Sequence, residues 1–172
     1  RVSMEITEEY IKDQDNPVNT LMTLSTLMDD LVLKESQDSF LSFVRMVAPT
    51  LVSDWKMGRH IKLLSDKLQK VKDGEVKRLM VFLPPRSSKS VICSKIFPAW
   101  YIGNNPTHEI MSISHSDQLA SDFGRSVRDV VNTDQFQNVF PNVQLRSDVR
   151  AAGKWKTNLN GTYYAAGVRS QI

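Results

Sequence analysis

The sequence predicts an α/β domain with a mainly parallel central sheet, and three observations support this fold class. Apolar residues recur at helical spacing as far as Gly74, which predicts a helical lead-in. The run from Arg78 to Leu83 is then continuously apolar after its first residue, as in a central strand that is covered on both faces. Beyond it, strand and helix patterns alternate, which favours parallel neighbours joined by right-handed crossovers.

Three helices are predicted before the sheet, after a polar and acidic arm over residues 1–16. In each helix the apolar residues form one stripe at a spacing of three or four. Gly74 is expected to end the third helix, because glycine readily adopts the left-handed conformation that follows a helix. The predicted helices span about 18–34, Asp38 to just before Pro49, and 58–72.

Two strand–helix units are predicted after these helices. We expect the first helix to begin near Lys89 and to kink or end at Pro98, whose ring disturbs a helix interior. The second helix is expected to begin near Ser116 or Asp117, since both residues are good N-caps. The predicted strands of these units are 79–83 and 109–114.

A β-hairpin is predicted near the C-terminus. Two strand-like segments, 154–157 and 162–165, flank the Asn160-Gly161 pair, which suits a hairpin turn that needs positive φ. With this hairpin the sequence divides into a helical lead-in over residues 1–37 and one α/β domain over residues 38–172.

Composition excludes several classes of protein. No stretch approaches the ~20 apolar residues of a membrane-spanning helix, so no membrane partner is expected. The start shows no signal peptide, and the absence of an initiating methionine suggests a fragment. The single cysteine, Cys93, cannot form an internal disulfide and fits a reducing compartment. The three histidines lack metal-ligand spacing, so no cluster of protein side chains is expected to hold a metal.

Charge is unevenly distributed along the chain. Residues 1–75 hold ten basic and thirteen acidic side chains, whereas residues 76–172 hold twelve basic and six acidic ones. A positive surface attracts polyanions without specifying which one. For any single lysine or arginine, a plain solvated surface remains the simpler interpretation.

The segment from Pro84 to Ser90, Pro-Pro-Arg-Ser-Ser-Lys-Ser, predicts a phosphate site. It stands between a strand-like run and a helix-like run, which is the order in which a phosphate-binding loop is built. Lys89 can reach the β- and γ-phosphates of a nucleotide, and the hydroxyl of Ser90 can ligate Mg²⁺. Both glycines of the consensus G-x-x-x-x-G-K-[ST] are missing, because Leu83 and Ser88 stand in their places. An ordinary strand–turn–helix with an exposed lysine is the alternative.

Several motifs stand in order with sensible spacing and together resemble a known family. They are Pro-Pro-Arg-Ser-Ser-Lys-Ser at 84–90, Phe-Pro-Ala-Trp-Tyr-Ile-Gly at 97–103, Ser-His-Ser at 114–116 with Leu-Ala-Ser-Asp-Phe-Gly-Arg at 119–125, Gly-Lys-Trp-Lys-Thr at 153–157, and Ala-Ala-Gly-Val-Arg-Ser-Gln-Ile at 165–172. They resemble the ATPase domain of the large terminase subunit of tailed bacteriophages, the motor that packages DNA into proheads. The resemblance covers about residues 40–172 and is nearest to the terminases of T4-like phages of marine cyanobacteria.

This resemblance implies a P-loop NTPase fold of the additional-strand ATPase type, with a deviant Walker A loop. Members of the family often have glycine where Ser88 stands. The serine is therefore expected to adopt a backbone conformation that glycine adopts more easily. By position, Lys89 would contact the β/γ-phosphates, Ser90 would ligate Mg²⁺, and Arg86 would sense or stabilise the γ-phosphate. The implied catalytic residues are Arg86 and Lys89, and the implied ATP-binding residues are Pro85, Arg86, Ser87, Ser88, Lys89 and Ser90.

Trp55, Arg59 and His60 precede the predicted sheet, where the family holds the adenine base, and Trp55 and His60 are the implied contacts. Stacking of the base on an aromatic ring is the functional interpretation. For Trp55, packing in the core is the alternative, and the sequence leaves it open.

Two pairs of basic residues are candidates for contacting DNA. Arg125 and Arg128 lie three apart on one predicted helix, and an exposed helical face is their alternative interpretation. Lys154 and Lys156 flank Trp155. In such a group the lysines would contact phosphates and the aromatic ring would stack on a base. Packing of Trp155 on the sheet is the alternative.

The resemblance also implies an activity and a setting. The expected function is an ATP-hydrolysing motor with ATP and Mg²⁺ as cofactors. The expected partners are double-stranded DNA, the portal protein, the small terminase subunit, and further copies of the chain in a ring. The expected location is the host-cell cytoplasm, with transient residence at the portal vertex of the prohead and absence from the mature virion.

The chain lacks an apolar strand ending in a pair of acids between Leu79 and Ile172. The Walker B strand, the catalytic glutamate and the nuclease domain of the family are therefore expected beyond the present end. This fragment is expected to bind nucleotide weakly and to hydrolyse it poorly. The alternatives are another P-loop enzyme, such as a helicase-like translocase or a nucleotide kinase, and a nonhydrolytic module that docks DNA or a portal.

Overall fold

The structure, a computed structural model, describes residues 17–168, so the predicted arm over residues 1–16 lies outside it. Helices and strands follow one another in an α/β order. The helices are α1 Pro17–Asp38, α2 Phe40–Leu51, α3 Arg59–Lys72, a π-helical turn Val91–Ile96, α4 Phe97–Asn104, α5 Asp117–Val131 and α6 Asp134–Val139. The strands are β1 Glu109–Ser114, β2 Leu145–Ala151, β3 Lys154–Thr157 and β4 Thr162–Gly167.

The sheet of the described residues is mixed, so the prediction of a mainly parallel sheet was wrong. Its four strands lie in the order β1-β4-β3-β2. Only β1 and β4 run parallel. They are joined by the long connection that parallel neighbours require, which here contains α5, α6, β2 and β3. The other two pairings are antiparallel, since short turns connect those strands.

The C-terminal hairpin is confirmed as the pair β3–β4. Asn160 takes the positive φ that its turn requires, with φ of 71°. Gly161 is needed for a different reason from the one predicted. A Cβ on it would lie 2.3 Å from the carbonyl oxygen of Pro106, so only glycine fits against that backbone.

The strand predicted over residues 79–83 is not present. Its side chains do alternate, with Leu79, Val81 and Leu83 half-buried and Met80 and Phe82 exposed, which is the period of an extended chain. However, within the described part of the chain this segment makes no backbone–backbone hydrogen bond. The continuous apolar run suggested cover on both faces, whereas Met80 is 78% and Phe82 is 82% exposed.

The predicted helices are all present, although α1 runs to Asp38 and α6 was not predicted. Two further differences occur near prolines. Helix α2 continues past Pro49 to Leu51, because its last turn is closed by a bond from the Val52 amide to the Ala48 carbonyl (3.1 Å). The helical run after Lys89 does not end at Pro98. It passes through a π-helical turn first, and such a wider turn accommodates a residue that lacks an N–H.

The core lies where the helices meet each other and the sheet. Phe40 packs on the rings of Phe97 and Trp100, with centroids 5.3 and 5.1 Å away. The buried indole of Trp100 donates a hydrogen bond to the Ser36 carbonyl at 3.0 Å. On the sheet, the ring of Trp155 stacks on that of Tyr163 at 5.1 Å with an interplanar angle of 1°. The alternative interpretation of Trp155 as a packed residue is therefore confirmed.

The chain divides into two compact units between Lys34 and Glu35. In the first unit, the α1 residues leave large apolar side chains more than half exposed to solvent: Leu21, Met22, Leu24, Leu27, Met28, Leu31 and Val32. The second unit holds the sheet and the other helices. Among the described residues, no helix has both the length and the hydrophobicity to cross a bilayer.

Gly124 sets how closely α5 approaches the sheet. A Cβ on this residue would lie 2.2 Å from the carbonyl oxygen of Ala152, which is backbone and cannot swing away. We expect Gly124→Ala to lower the free energy of unfolding by about 2 kcal/mol, as overpacking does. Urea unfolding followed by circular dichroism measures this change.

Gly153→Ala is the matched control for this prediction. The nearest atom to its added Cβ would be Ser121 Oγ at 3.4 Å, an ordinary contact. This variant should unfold at nearly the same urea concentration as the original chain. Equal stability of the two variants would contradict the steric role of Gly124.

Candidate functional site

The predicted phosphate loop forms a tight turn that leads into a helix. The Ser87 hydroxyl donates a hydrogen bond to the Pro84 carbonyl at 2.7 Å, which holds the loop closed. The amide of Ile92 donates to the Ser88 carbonyl at 3.0 Å and so begins the helical run. Residues 83–91 line a cavity of about 390 Å³ at this turn. The loop and the start of the helix therefore enclose one space.

Two residues of this loop have left-handed backbone conformations. Arg86 has φ of 61° and Ser88 has φ of 60°. This conformation costs a residue with a side chain about 1–2 kcal/mol. The expectation that Ser88 stands at a position where glycine would fit more easily is thus confirmed. Left-handed residues within a turn are typical of backbone concavities whose N–H groups converge on an anion.

The cationic side chains of the loop are not neutralised by carboxylates. Lys89 is half-buried and Arg86 is exposed. Neither takes part in a salt bridge within residues 17–168. No carboxylate occurs among residues 83–91. The cavity therefore combines two positive charges with the positive end of a helical run, an arrangement that attracts anions.

Lys89 also acts on a neighbouring thiol. Burial raises the pKa of the Cys93 thiol, and the positive charge of Lys89 lowers it to a smaller extent. The net result is a thiol that stays protonated and is a weak nucleophile. The pKa of Cys93 therefore depends on the charge of Lys89, although the thiol itself is not a reactive group.

Ser90 precedes the π-helical turn and its side chain does not cap that turn. Ser90 is exposed to solvent. Among the described residues, no three His, Cys, Asp or Glu side chains come together to hold a metal. A magnesium ion at Ser90 would therefore take its remaining ligands from nucleotide phosphates and water, as Mg²⁺ commonly does.

The two residues predicted to hold adenine are placed differently. His60 is exposed at the start of α3 and lines a second cavity, of about 180 Å³, together with Leu63 and residues 79–83. Leu83 lines both this cavity and the loop cavity. Trp55 is half-buried and lines neither of them, and its buried indole N–H has no hydrogen-bond partner within residues 17–168. Of the two residues, His60 is the one that lines a cavity sharing Leu83 with the loop cavity.

The arginines predicted to contact DNA are paired with acids on their own helix. Arg125 contacts Asp122 at 3.1 Å, and Arg128 contacts Asp129 at 3.6 Å. Arg125 is half exposed and Arg128 is mostly covered, with side chains 51% and 24% accessible. The nearby carboxylates therefore weaken the electrostatic attraction of these arginines for DNA phosphates.

The two lysines of β3 lie on the sheet. Lys156 is half-buried, whereas the Lys154 ammonium lies 5.8 Å from the centre of the Tyr164 ring. Lys154, Tyr164, Glu109 and Met111 line a cavity of about 600 Å³. The sequence alone could not indicate this group, because the register of β1 on β4 brings it together.

Comparison of the chain with known protein families, with curated proteins and with solved structures finds no match. The resemblance of the sequence motifs to terminases therefore stays a prediction. The function is inferred below from the geometry and charge of the loop.

Ser88→Gly should stabilise the protein. Glycine adopts the left-handed conformation without steric cost, although it loses more freedom on folding. We expect the free energy of unfolding to rise by about 0.5–1 kcal/mol in urea titrations. Ser87→Gly is the control, since it removes the bond to the Pro84 carbonyl and should destabilise. A loss of stability in Ser88→Gly would contradict the assigned backbone conformation.

The proximity of Lys89 to Cys93 can be measured by alkylation. Removing the charge in Lys89→Ala should raise the pKa of Cys93 further, because the thiolate loses its nearby cation. At a fixed pH below that pKa, less thiolate is present and iodoacetamide should react more slowly. Lys95→Ala, which removes a charge on the same π-helical turn, should leave the rate nearly unchanged. Identical pH profiles for all three proteins would contradict the influence of the Lys89 charge on the pKa of Cys93.

Proposed function

We propose that this chain is the nucleotide-binding part of an ATP-driven motor that packages DNA, with ATP and Mg²⁺ bound at residues 84–90. One observation supports this proposal above the others. The loop combines two left-handed residues, two cations without carboxylate partners, and the start of a helical run around one cavity. A polyphosphate is the ligand whose charge and size suit that combination.

Each loop residue has a distinct part in this proposal. The Lys89 ammonium binds the β- and γ-phosphates, and the Ser90 hydroxyl ligates Mg²⁺. Backbone N–H groups of residues 86–88 donate to the phosphates. The guanidinium of Arg86, exposed at the mouth of the cavity, stabilises the charge that develops on the γ-phosphate during transfer. His60, which lines the cavity that shares Leu83 with the loop cavity, is the candidate for contact with the base.

Hydrolysis requires a group that positions the attacking water. No carboxylate lies among residues 83–91, so these residues bind nucleotide without activating water. Within the proposal, the catalytic acid, the coupling to DNA and the contacts with a portal, a small terminase subunit and neighbouring copies are supplied by the complete motor.

Lys89→Ala tests nucleotide binding directly. Loss of a charge-assisted contact to phosphate should weaken binding of Mg·ATP about 10–100-fold, as measured by isothermal titration calorimetry. Lys77→Ala removes an exposed charge outside the loop cavity and should bind normally. If the original chain showed no Mg²⁺-dependent affinity for ATP, the alternative of a nonhydrolytic docking module would replace this proposal.

Arg86→Ala tests catalysis in the complete motor protein. If Arg86 stabilises the transition state, kcat should fall by at least ~10³-fold. Binding of a nonhydrolysable ATP analogue should change little, because the interaction strengthens only as charge develops. Arg86→Lys keeps the charge but loses the planar fork, so partial recovery would indicate charge alone. A normal kcat with a lower melting temperature would show that Arg86 only supports the turn.

A further inference from the structure

The sheet has one covered face and one open face among the described residues. Trp155 and Tyr163 stack on the covered face, and the Trp155 indole donates to the Gly124 carbonyl of α5. Helix α5 therefore packs on this side of the sheet. On the opposite face, Met111 and Ile113 of β1 are each 57% exposed. A face that leaves large apolar side chains in solvent is a candidate binding surface.

The register of the strands places an aromatic ring and a lysine in one row on the open face. Met111 of β1 stands opposite Tyr164 of β4, and Tyr164 stands opposite Lys154 of β3. The Lys154 ammonium lies 5.8 Å from the centre of the Tyr164 ring. A cavity of about 600 Å³ at this row is lined by Glu109, Ile110, Met111, Lys154, Thr162 and Tyr164. The cavity therefore combines a half-buried aromatic ring with an exposed cation.

The open face carries more positive than negative charge around this cavity. Lys156 lies on the same face as Lys154, one row further along β3 and two strands away from Glu109. Neither lysine takes part in a salt bridge within residues 17–168. Asp148, an acid whose charge interacts with Lys156, is itself bridged by Arg146. Both lysines can therefore bind an anion from outside.

The pairing of a ring with a lysine argues against two occupants of this face. An apolar protein surface laid on Met111 and Tyr164 would take the Lys154 ammonium out of water, which is costly without an acid to pair with it. Double-stranded DNA hides the faces of its bases within the stack and would contact the lysines alone. An unpaired nucleotide uses both features, because its base stacks on the ring while its phosphate binds a lysine.

We propose that the open face of the sheet binds single-stranded nucleic acid, with one base stacked on Tyr164. The exposed Lys154 ammonium moves from the ring to a neighbouring phosphate, and Lys156 contacts the next phosphate. The sequence pattern had suggested Trp155 for stacking, but Trp155 is buried on the other face, and the register supplies Tyr164 instead. The proposal does not depend on nucleotide binding, because the loop cavity takes no part in it.

Fluorescence anisotropy on the full chain tests the proposal. The probe is a fluorescein-labelled oligothymidylate of about 12 nucleotides, a length within the site sizes of single-strand binding proteins. We expect saturable binding in a buffer of low salt concentration. The duplex of this probe with oligodeoxyadenylate, measured below its melting temperature, should bind roughly tenfold more weakly, because its bases are not free to stack on Tyr164.

Substitutions of Tyr164 test the stacking. Tyr164→Ala should weaken binding of the probe about tenfold or more. Tyr164→Phe keeps the aromatic ring and should bind within about twofold of the original chain. Circular dichroism checks that the variants are folded. Tyr164→Leu, which keeps the apolar bulk without an aromatic face, replaces Tyr164→Ala if that variant is not folded.

The salt dependence of binding tests the phosphate contact of Lys154. In Lys154→Ala, the slope of the logarithm of the binding constant against that of the salt concentration should become shallower by about 0.7, the value for one phosphate of a single strand. Tyr164→Ala should leave this slope unchanged, because stacking releases no counterions. Lys62→Ala is the matched control, since it removes an exposed lysine of α3 outside both cavities and should change neither affinity nor slope.

Four results would overturn the proposal. The first is the absence of saturable binding by the folded chain. The second is a duplex that binds as tightly as the single strand, which would indicate attraction by charge alone. The third is an unchanged affinity in folded Tyr164→Ala. The fourth is a Lys89→Ala variant that weakens binding as much as Lys154→Ala does, which would place the oligonucleotide on the phosphate loop.

Discussion

The close approach of α5 to the sheet is the constraint on which the rest of this structure depends. The indole N–H of Trp155 donates to the Gly124 carbonyl at 3.1 Å, and the same ring stacks on Tyr163. Helix α5 thereby fixes β3 and β4, and its other side contacts the π-helical turn. The phosphate loop begins that helical run, so its position relative to the sheet is set through α5.

Elements with strong local signals could be predicted from the sequence. Strand β1 has the predicted bounds, and Ser116 caps α5 by accepting the Leu119 amide at 3.3 Å. Elements that depend on distant residues could not. The charged pattern of β2 gave no strand signal, because its place in the sheet comes from pairing with β3. The apolar run at 79–83 resembled a central strand. Whether such a run forms a strand depends on hydrogen bonds to a neighbouring strand, which the local sequence pattern does not reveal.

The candidate site shows the same division. The order of residue types predicted the turn and the position of Lys89 at the start of a helix. The expectation that Ser88 stands where glycine would fit more easily came from the family resemblance. The left-handed conformation of Arg86 was not predicted, since nothing in its side chain favours it. The separation of Trp55 from the loop cavity and the pairing of Arg125 with Asp122 also escaped prediction, because both follow from how elements pack.

The π-helical turn at Val91–Ile96 has a consequence for the length of the chain. A π-helical turn holds one residue more than the α-helical turn that it replaces. Each residue of an α-helix advances the side chains by about 100°, so one extra residue would normally rotate everything that follows. Here the wider turn absorbs it, and Trp100 still faces the core. A shortening by one residue within this turn would restore regular helix geometry and leave Pro98 in a helix interior, where its ring clashes with the preceding turn. The extra residue and the proline therefore have to be gained or lost together.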